Sequence, residues 1–209
     1  MMFDIKQDIK SAFKKNKIAI CIAAAILFIS IFLGYLLEPD LHSYFSPVVE
    51  KLTDDIQTGT IQLTFADIFL NNIKIVMFMF VLGILFCFSA VILSFNGFFT
   101  GYFIGTSDDL PVTLLLIIPH GIFEFSSCIL ACASGFVLFN FFYVLVKNFF
   151  TIKDSSFLDR VYEAIDESWD KLKEAFILFF IAVILMVIAG IFEVYVTLPF
   201  AELVLSLLG

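Results

Sequence analysis

The run from Ile75 to Ser107 contains no charged residue, and it constrains the fold of this chain more than any other feature. A helix of about 20 apolar residues crosses the hydrocarbon core of a bilayer, so this run is too long for one crossing. The whole sequence is 61% hydrophobic and 15% charged, with 29 phenylalanines among 209 residues. No soluble core could hide that much apolar surface, so lipid must be the solvent.

The apolar runs predict an all-α fold, a polytopic transmembrane helical bundle that forms one membrane domain over residues 1–209. We expect about five crossings, at residues 18–37, 75–95, 97–119, 121–146 and 175–200. An outside loop at 38–64 and a cytoplasmic loop at 147–174 follow from these spans. Five lysines precede the first span and mostly acids follow it, so the positive-inside rule places the N-terminus in the cytoplasm of a multi-pass cell-membrane protein.

The segment 97–119 is needed to make the number of crossings consistent. Lys17 and Lys147 should both be cytoplasmic, so an even number of crossings must separate them. The three regular spans between these lysines leave the count odd. Residues 97–119 are the only segment available for the missing crossing.

The same segment is also the least regular part of the chain. Asn96-Gly97 is a typical turn dipeptide and is expected to end the second span. Asp108 and Asp109 then interrupt the apolar pattern. We expect a broken crossing or a re-entrant pair of half-helices here, because such breaks are tolerated where they line a cavity or are buried in protein.

Glycines and prolines mark expected helix breaks or close helix packing. Gly97, Gly101 and Gly105 recur every four residues, a small-residue stripe that lets another backbone approach closely. A Pro-His-Gly sequence interrupts the next apolar run, and a proline lies close to the end of the last. The full set is Gly97, Gly101, Gly105, Pro119, Gly121 and Pro199.

Residues 156–174 are expected to form an amphipathic helix on the cytoplasmic surface of the membrane. Ser156, with Asp159 three residues later, resembles a capping box that starts a helix. Apolar residues then recur at spacings of three or four, which is the helical period. They are Leu158, Val161, Tyr162, Ile165, Trp169, Leu172 and Phe176.

His120, Glu124 and Glu193 are ionisable residues within apolar runs. An ionisable side chain at membrane depth costs roughly 2.5–3.5 kcal/mol or more, so such residues mark a functional site. His120 and Glu124 are four residues apart and share one face of a helix. The function of the chain is therefore expected to involve these side chains.

Three uses of this intramembrane polar site remain open. The first is a structural network in which the acids bond freed backbone groups or the amides of Asn71, Asn72 and Asn96. The second is acid–base or proton-relay chemistry. The third is a metal ion with His120 and Glu124 as ligands, for which too few further ligands are evident; no metal or other cofactor is expected.

Several classes of function are not indicated. The sequence has no phosphate-binding loop, no serine-nucleophile elbow and no zinc-binding HExxH helix, so enzymatic activity is not expected. The net charge is −8, and the few basic residues are not interleaved with aromatic ones. Nucleic acid is therefore not an expected partner.

Several motifs together resemble the stage II sporulation protein M family. The most specific is Pro-His-Gly-Ile-Phe-Glu at 119–124. The others are Phe69-Leu70-Asn71-Asn72, Gly83, Asn96-Gly97 with Gly101, Gly135, Ile191-Phe192-Glu193 and Thr197-Leu198-Pro199. The resemblance covers roughly residues 65–200 and implies a membrane protein, usually with five crossings.

The resemblance also implies a function. The family's namesake is a scaffold that holds peptidoglycan-degrading partners at the septal membrane of endospore-forming bacteria during engulfment. Members also occur in bacteria and archaea that do not sporulate. The family carries no agreed catalytic site, and His120, Glu124 and Glu193 match its pattern.

Our first hypothesis is a membrane scaffold or complex subunit that assembles with other membrane or envelope proteins, with partners docking on the 38–64 loop or the 147–174 helix. The alternative is a small transporter or channel that uses His120, Glu124 and Glu193, and such a protein would form a homo-oligomer. A remote alternative is an intramembrane metal-dependent enzyme.

Overall fold

A computed structural model of the chain describes residues 5–58, 65–85, 87–151 and 156–208, without side chains at 48–50, 52–57, 65–68 and 208. Within these residues the chain forms α-helices and no strand, which confirms the predicted all-α polytopic bundle. In chain order the helices are α1 (Ile5–Lys15), α2 (Lys17–Gln57), α3 (Phe65–Val81), α4 (Phe88–Gly105), α5 (Leu110–Thr151), α6 (Phe157–Tyr195) and α7 (Thr197–Leu208), with a 3-10 turn at Leu82–Ile84.

Four helices are long and apolar enough to cross a membrane. They are the Lys17–Pro47 part of α2, and α4, α5 and α6. The stretch Phe69–Ile84, made of α3 and the 3-10 turn, is apolar but shorter. These lengths follow from the sequence, because a bilayer crossing needs about 20 apolar residues in helical conformation.

The glycine stripe of α4 fixes the direction of the chain. Gly97 lies against Leu27 of α2, Gly101 lies against Ile31, and Gly105 lies against Glu38. The residue numbers of the contacting pairs increase together along both helices, so α2 and α4 run parallel. Helix α3, which connects them, therefore runs in the opposite direction. Helices α2 to α6 therefore traverse the bundle in alternating directions. We call the end that holds Lys14, Lys15 and Lys17 the lysine end.

The predicted second span at 75–95 is wrong, because the helix breaks in its middle. The chain leaves helical geometry after the 3-10 turn and reverses at Cys87, whose φ is 67°. Gly83 allows this break to pack closely, since a Cβ there would lie 2.4 Å from the Cα of Gly135. Ser89 donates a hydrogen bond to the Met79 carbonyl oxygen (2.5 Å), which satisfies a backbone group at the break.

The expected breaks at Asn96-Gly97 and at Pro119-Gly121 are also wrong. The first pair lies inside α4, and the second lies inside α5, which is continuous for 42 residues. Lipid offers no hydrogen bonds to a free backbone, so helices continue through residues that end them in water. Gly97 instead allows close approach, because a Cβ would lie 2.9 Å from the Leu27 carbonyl oxygen.

The interruption of 97–119 falls at the two aspartates, as the sequence indicated. Helix α4 ends at Gly105 and α5 begins at Leu110. The Asp109 carboxylate accepts a hydrogen bond from the Val112 N–H (3.2 Å), which caps the start of α5. The chain thus completes α4 and turns back at its end, rather than forming a crossing broken within residues 97–119.

Much of the predicted outside loop is helical. Helix α2 continues through Pro39 and Pro47 to Gln57, while residues 59–64 lie outside the described residues. Its extension is held by Phe45, whose ring centroid is 5.5 Å from that of Phe99 and 5.4 Å from that of Tyr102.

The predicted amphipathic helix exists, but it does not end where the last span begins. Helix α6 runs without a break from Phe157 to Tyr195 and therefore joins both segments. A helix that crosses the membrane over its second half cannot also lie flat on the surface over its first half. The predicted final span at 175–200 is divided at Val196, where α7 follows, and residues 152–155 lie outside the described part of the chain.

Helices α5 and α6 form an antiparallel pair at the centre of the bundle. The Ser127 hydroxyl donates to the Ala182 carbonyl oxygen (2.6 Å), and the Phe123 and Phe192 ring centroids are 4.8 Å apart. The middle of α5 is a buried run of small residues, namely Ala131, Cys132, Ala133, Ser134 and Gly135. Small side chains let helices approach closely in lipid, where van der Waals packing drives association.

Candidate functional site

His120 links α5 to the junction of α6 and α7. Its Nδ1 atom is 3.2 Å from the hydroxyl oxygen of Thr197, the first residue of α7. Thr197 is buried and donates a hydrogen bond to the Phe192 carbonyl oxygen (3.0 Å). Gly121 is buried beside this histidine, and Pro199 lies in the first turn of α7. The histidine therefore helps to fix where α7 begins.

Glu124 of α5 and Glu193 of α6 lie at the same level of this helix pair. Each follows a phenylalanine of the contacting pair Phe123 and Phe192. Both glutamates are half-buried, and the charge of Glu193 acts on Glu124. The repeated tripeptide Ile-Phe-Glu, at 122–124 and 191–193, is the sequence signal that could have paired them.

Within the described part of the chain, neither carboxyl group has a counter-ion. No ion pair or hydrogen bond from another described residue reaches either of them. The described residues also contain no group of three or more histidine, cysteine, aspartate or glutamate side chains arranged to hold a metal ion. Two carboxyl groups at the same level of a helix pair can take up a proton or attract a cation.

The three asparagines considered for this site do not join it. Asn71 is exposed and Asn72 is half-buried on α3, while Asn96 lies on α4. No side-chain hydrogen bond connects any of them to Glu124 or Glu193 among the described residues. The polar network of acids and amides is therefore absent, and the site consists of His120, Thr197 and the acid pair.

Between the acid pair and the lysine end, the α5–α6 interface is filled by buried side chains. Cys128 and Cys132, one and two turns beyond Glu124, are buried. Ser127 uses its hydroxyl for α6, as described above, and Ala182 and Met186 are buried opposite. The polar site therefore does not continue along this interface toward the lysine end.

The comparisons with known proteins agree with this architecture. The family model described as stage II sporulation protein M matches residues 18–198, which is most of the chain and includes both acids and Thr197. The chain belongs to the stage II sporulation protein M family. Family membership and the apolar helices together identify it as an integral membrane protein.

Two relatives of this stage II sporulation protein M family chain come from Methanocaldococcus jannaschii. Uncharacterized protein MJ0793 is 34% identical over 152 residues, which cover 70% of this chain and 78% of the relative. Uncharacterized protein MJ0706 is 28% identical over 216 residues, which cover 98% of this chain and 92% of the relative. No solved structure matches the chain significantly.

The family match begins at Ile18, so α1 lies outside it, yet α1 helps to form a second polar cluster. Glu174 of α6 is 5% exposed. It accepts a hydrogen bond from the Asn16 amide (2.9 Å) and forms ion pairs with Lys15 (2.9 Å) and Lys171 (3.1 Å). The cluster ties the junction of α1 and α2 to α6.

This second cluster sets the position of α1. The hydrogen bond and charge of Glu174 hold the pKa of Lys15 above its usual value. Lys173, next to Glu174, forms an ion pair with Asp8 (2.6 Å). Asp8 and Lys15 are about 10 Å apart along α1 but contact adjacent residues of α6, so α1 crosses α6 steeply.

The sequence analysis assigns no role to Glu174. The lysines on either side of it, Lys171 and Lys173, serve there only to place the loop 147–174 in the cytoplasm, and a possible ion pair with the acid between them is not considered. An acid at the first turn of an apolar span, flanked by lysines, could have indicated a buried ion pair. Nothing in the sequence indicated that its partners would come from Lys15 and Asn16.

Proposed function

We propose that this member of the stage II sporulation protein M family is a scaffold or complex subunit of the cell membrane, without catalytic activity of its own. The observation that carries the proposal is the length of the α5–α6 pair. Helix α5 has 42 residues and α6 has 39, so each is about 60 Å long. A bilayer core is only about 30 Å thick.

The register of the pair shows where the excess length lies. Ser127 lies opposite Ala182, and Arg160 stacks over the Phe149 ring (5.7 Å from the centroid), so the same antiparallel register holds along both helices. It places Gly135 opposite Glu174. Beyond that level α5 and α6 each continue for about 25 Å.

The level of Glu174 marks one boundary of the bilayer. Lys15 and Lys171 contact this glutamate, and Lys14 and Lys17 lie close by in the chain. About 30 Å away, or some 20 helical residues, α2 reaches Glu38, while the turn after α4 holds Asp108 and Asp109. The hairpin formed by residues 136–151 and 156–173, here called the projecting hairpin, extends beyond the lysine end.

The positive-inside rule supports a cytoplasmic location for the projecting hairpin. Five lysines, at positions 6, 10, 14, 15 and 17, precede the first span, whereas acids predominate after it. Short segments rich in lysine and arginine stay on the cytoplasmic side. The N-terminus and the projecting hairpin are then cytoplasmic, and α7 lies at the outer surface.

The packing of α4 argues against a transport path through residues 97–119. A Cβ on Gly101 would overlap the carbonyl oxygen of Ile31, and one on Gly34 would overlap that of Phe98. Helices α2 and α4 are thus in backbone contact. No solute can pass between the two helices where these glycines meet the opposite backbone.

The acid pair is the one observation that favours the transporter alternative. Glu124 and Glu193 are half-buried at membrane depth, and no described residue forms an ion pair with either. Ionisable residues inside membranes often belong to ion or proton paths. A transporter of this kind requires Glu124 for flux, whereas the scaffold requires the projecting hairpin for partner binding.

Site-specific photo-crosslinking in the native membrane tests the scaffold. A photoreactive amino acid replaces Asp159, which is exposed near the tip of the projecting hairpin, and in a matched control it replaces the exposed Phe28 of α2. We expect a stoichiometric protein adduct at position 159 and mainly lipid adducts at position 28. Adducts with lipid or with the same chain alone at position 159 would contradict the proposal.

A further inference from the structure

The projecting hairpin carries an unpaired apolar stripe on α6. Leu158, Tyr162, Ile165 and Trp169 follow a spacing of four, three and four residues, so they form one line along the helix. Their exposed fractions are 65%, 75%, 39% and 55%. This line is distinct from the face that contacts α5, where Ala164 and Ser168 are fully buried.

Helix α5 extends this apolar surface on the other side. Its residues from Phe136 to Val146 carry no charge, although they lie beyond the level of Glu174. Val146 and Phe150 are 53% and 73% exposed and, with Ile165, line an apolar groove between the two helices. A contiguous apolar surface outside the bilayer marks an interaction site.

Between Ser156 and Asp170 the charges beside this surface are mostly negative. Along α6 the stripe lies between the groove on one side and a row of acids on the other, and these acids are all exposed: Asp159, Glu163, Asp166, Glu167 and Asp170. Arg160 is the single base between Ser156 and Asp170, and it is half-buried over Phe149. An apolar groove beside a row of acids complements a helix with one apolar face and one basic face.

A second copy of this chain or an anionic membrane could also cover this surface, but each would bring negative charges close to the acids of α6. A second copy of the projecting hairpin would bring a second row of acids to the interface. An anionic membrane surface would face the same acids and would repel them. A basic partner removes this repulsion and covers the apolar stripe in one contact.

We infer that the groove between α5 and α6, with the stripe Leu158, Tyr162, Ile165 and Trp169, binds a basic amphipathic helix of a partner protein. This inference rests on the proposed scaffold function and names the chemistry of its partner. The partner helix lays apolar side chains at helical spacing into the groove and sets lysine or arginine toward Asp166 and Asp170.

Trp169 provides the readout, because it is the only tryptophan of the chain. The full chain is reconstituted in phosphatidylcholine vesicles. The probe is a tryptophan-free peptide of about 18 residues, five helical turns, with leucine on one face and lysine on the other. We expect it to shift Trp169 emission to the blue in a saturable way. A peptide with glutamate at every lysine position is the matched control and should cause no shift.

Two exposed sets of substitutions separate the apolar and charged contributions. Tyr162→Ser with Ile165→Ser should weaken binding of the lysine peptide about tenfold or more. Asp166→Asn with Asp170→Asn should weaken it about 3- to 10-fold and reduce its salt dependence. Asp108→Asn, which neutralises an exposed acid at the opposite end, should leave binding unchanged.

The inference would be overturned if both peptides bound equally or if neither bound. It would also be overturned if brominated lipid quenched Trp169 emission without peptide, which would place the stripe in the membrane, or if dimerisation of the chain buried Trp169.

A failure of the scaffold proposal itself would give a different result. If photo-crosslinking from position 159 still captures the partner after Tyr162→Ser with Ile165→Ser, the scaffold stands and the groove assignment fails. If the peptide binds but no partner is captured by the unsubstituted chain, the scaffold proposal fails.

Discussion

Gly101 of α4 lies against the backbone of Ile31 of α2, so close that a Cβ at position 101 would overlap the Ile31 carbonyl oxygen. Gly34 of α2 makes the same approach to the Phe98 carbonyl oxygen of α4. Each of the two helices thus contributes a glycine that contacts the backbone of the other. Backbone contact of this kind increases van der Waals packing, which is the main attraction between helices in lipid.

Replacing this glycine should separate the two helices. We expect Gly101→Val to lower the free energy of unfolding by about 3 kcal/mol or more, because backbone rather than a flexible side chain occupies the space. Thermal unfolding in detergent measures the effect. Gly121→Ala is the matched control, since a Cβ there meets only Ile117 and Phe125 side chains of its own helix, at 3.3 Å or more. Equal loss in both variants would show that the interface is not special.

Glu174 should contribute more to stability than any one of its partners. Glu174→Ala removes the ion-pair partner of two lysines and one of the two acceptors of the buried Asn16 amide, which keeps its bond to the Ala12 carbonyl oxygen. We expect this change to cost about 2 kcal/mol. Lys15→Ala should cost less than about 1 kcal/mol, because the Lys15 side chain is 50% exposed. Unfolding in detergent distinguishes the two. A Lys15 variant as unstable as the Glu174 variant would refute this ranking.

The acid pair should contribute little to folding. Neither Glu124 nor Glu193 forms an ion pair with any described residue. We therefore expect Glu124→Gln and Glu193→Gln each to change the free energy of unfolding by less than about 1 kcal/mol. The measurement is thermal unfolding of each variant beside the unsubstituted chain. A loss of several kcal/mol in either variant would mean that the carboxyl groups hold the helices together.

The same variants separate the two functional hypotheses. In the scaffold, Glu124→Gln should leave photo-crosslinking from position 159 unchanged. In a transporter, it should abolish proton or cation flux into vesicles while the fold is kept. Flux that is present in the unsubstituted chain and absent in this variant would favour the transporter.

The orientation of the bundle can be tested with introduced cysteines. Lys14→Cys and Asp159→Cys should be protected from a membrane-impermeant thiol reagent in intact cells, whereas Asp108→Cys should react. All three positions are exposed on the protein surface, so protection reports the side of the membrane. Reaction of Lys14→Cys in intact cells would reverse the topology given by the positive-inside rule.

The class of the fold could be predicted from the sequence, but the position of its sharpest turn could not. Charge-free runs leave only helices as a spanning structure, because lipid satisfies no free backbone group. The turn between α3 and α4 was expected at Asn96-Gly97, where water-based turn preferences place it. It lies at 82–87, inside an apolar run without turn residues other than Gly83, and it depends on Gly135 of α5. No local pattern encodes such a contact.

The candidate site could be predicted only in part, because the sequence pattern shows which residues share a helix face but not which residues of other helices they meet. His120 and Glu124 share a face because of their spacing, and the structure keeps them on one continuous helix. The partners of these residues depend on how α5, α6 and α7 meet, which places Thr197 beside the histidine and Glu193 beside Glu124. The expected asparagine partners lie on α3 and α4, whose boundaries differ from the predicted spans 75–95 and 97–119.

The parallel arrangement of α2 and α4 has a consequence for how the protein is made. Helix α2 leaves the ribosome before α4, but the glycine face that receives it belongs to α4, which is synthesised after α3 and the turn at Cys87. Until then Gly34 has no backbone to pack against, and α2 must remain in lipid without its main neighbour. The bundle therefore cannot assemble in chain order, because its second helix gains its main packing partner only when the fourth has been made.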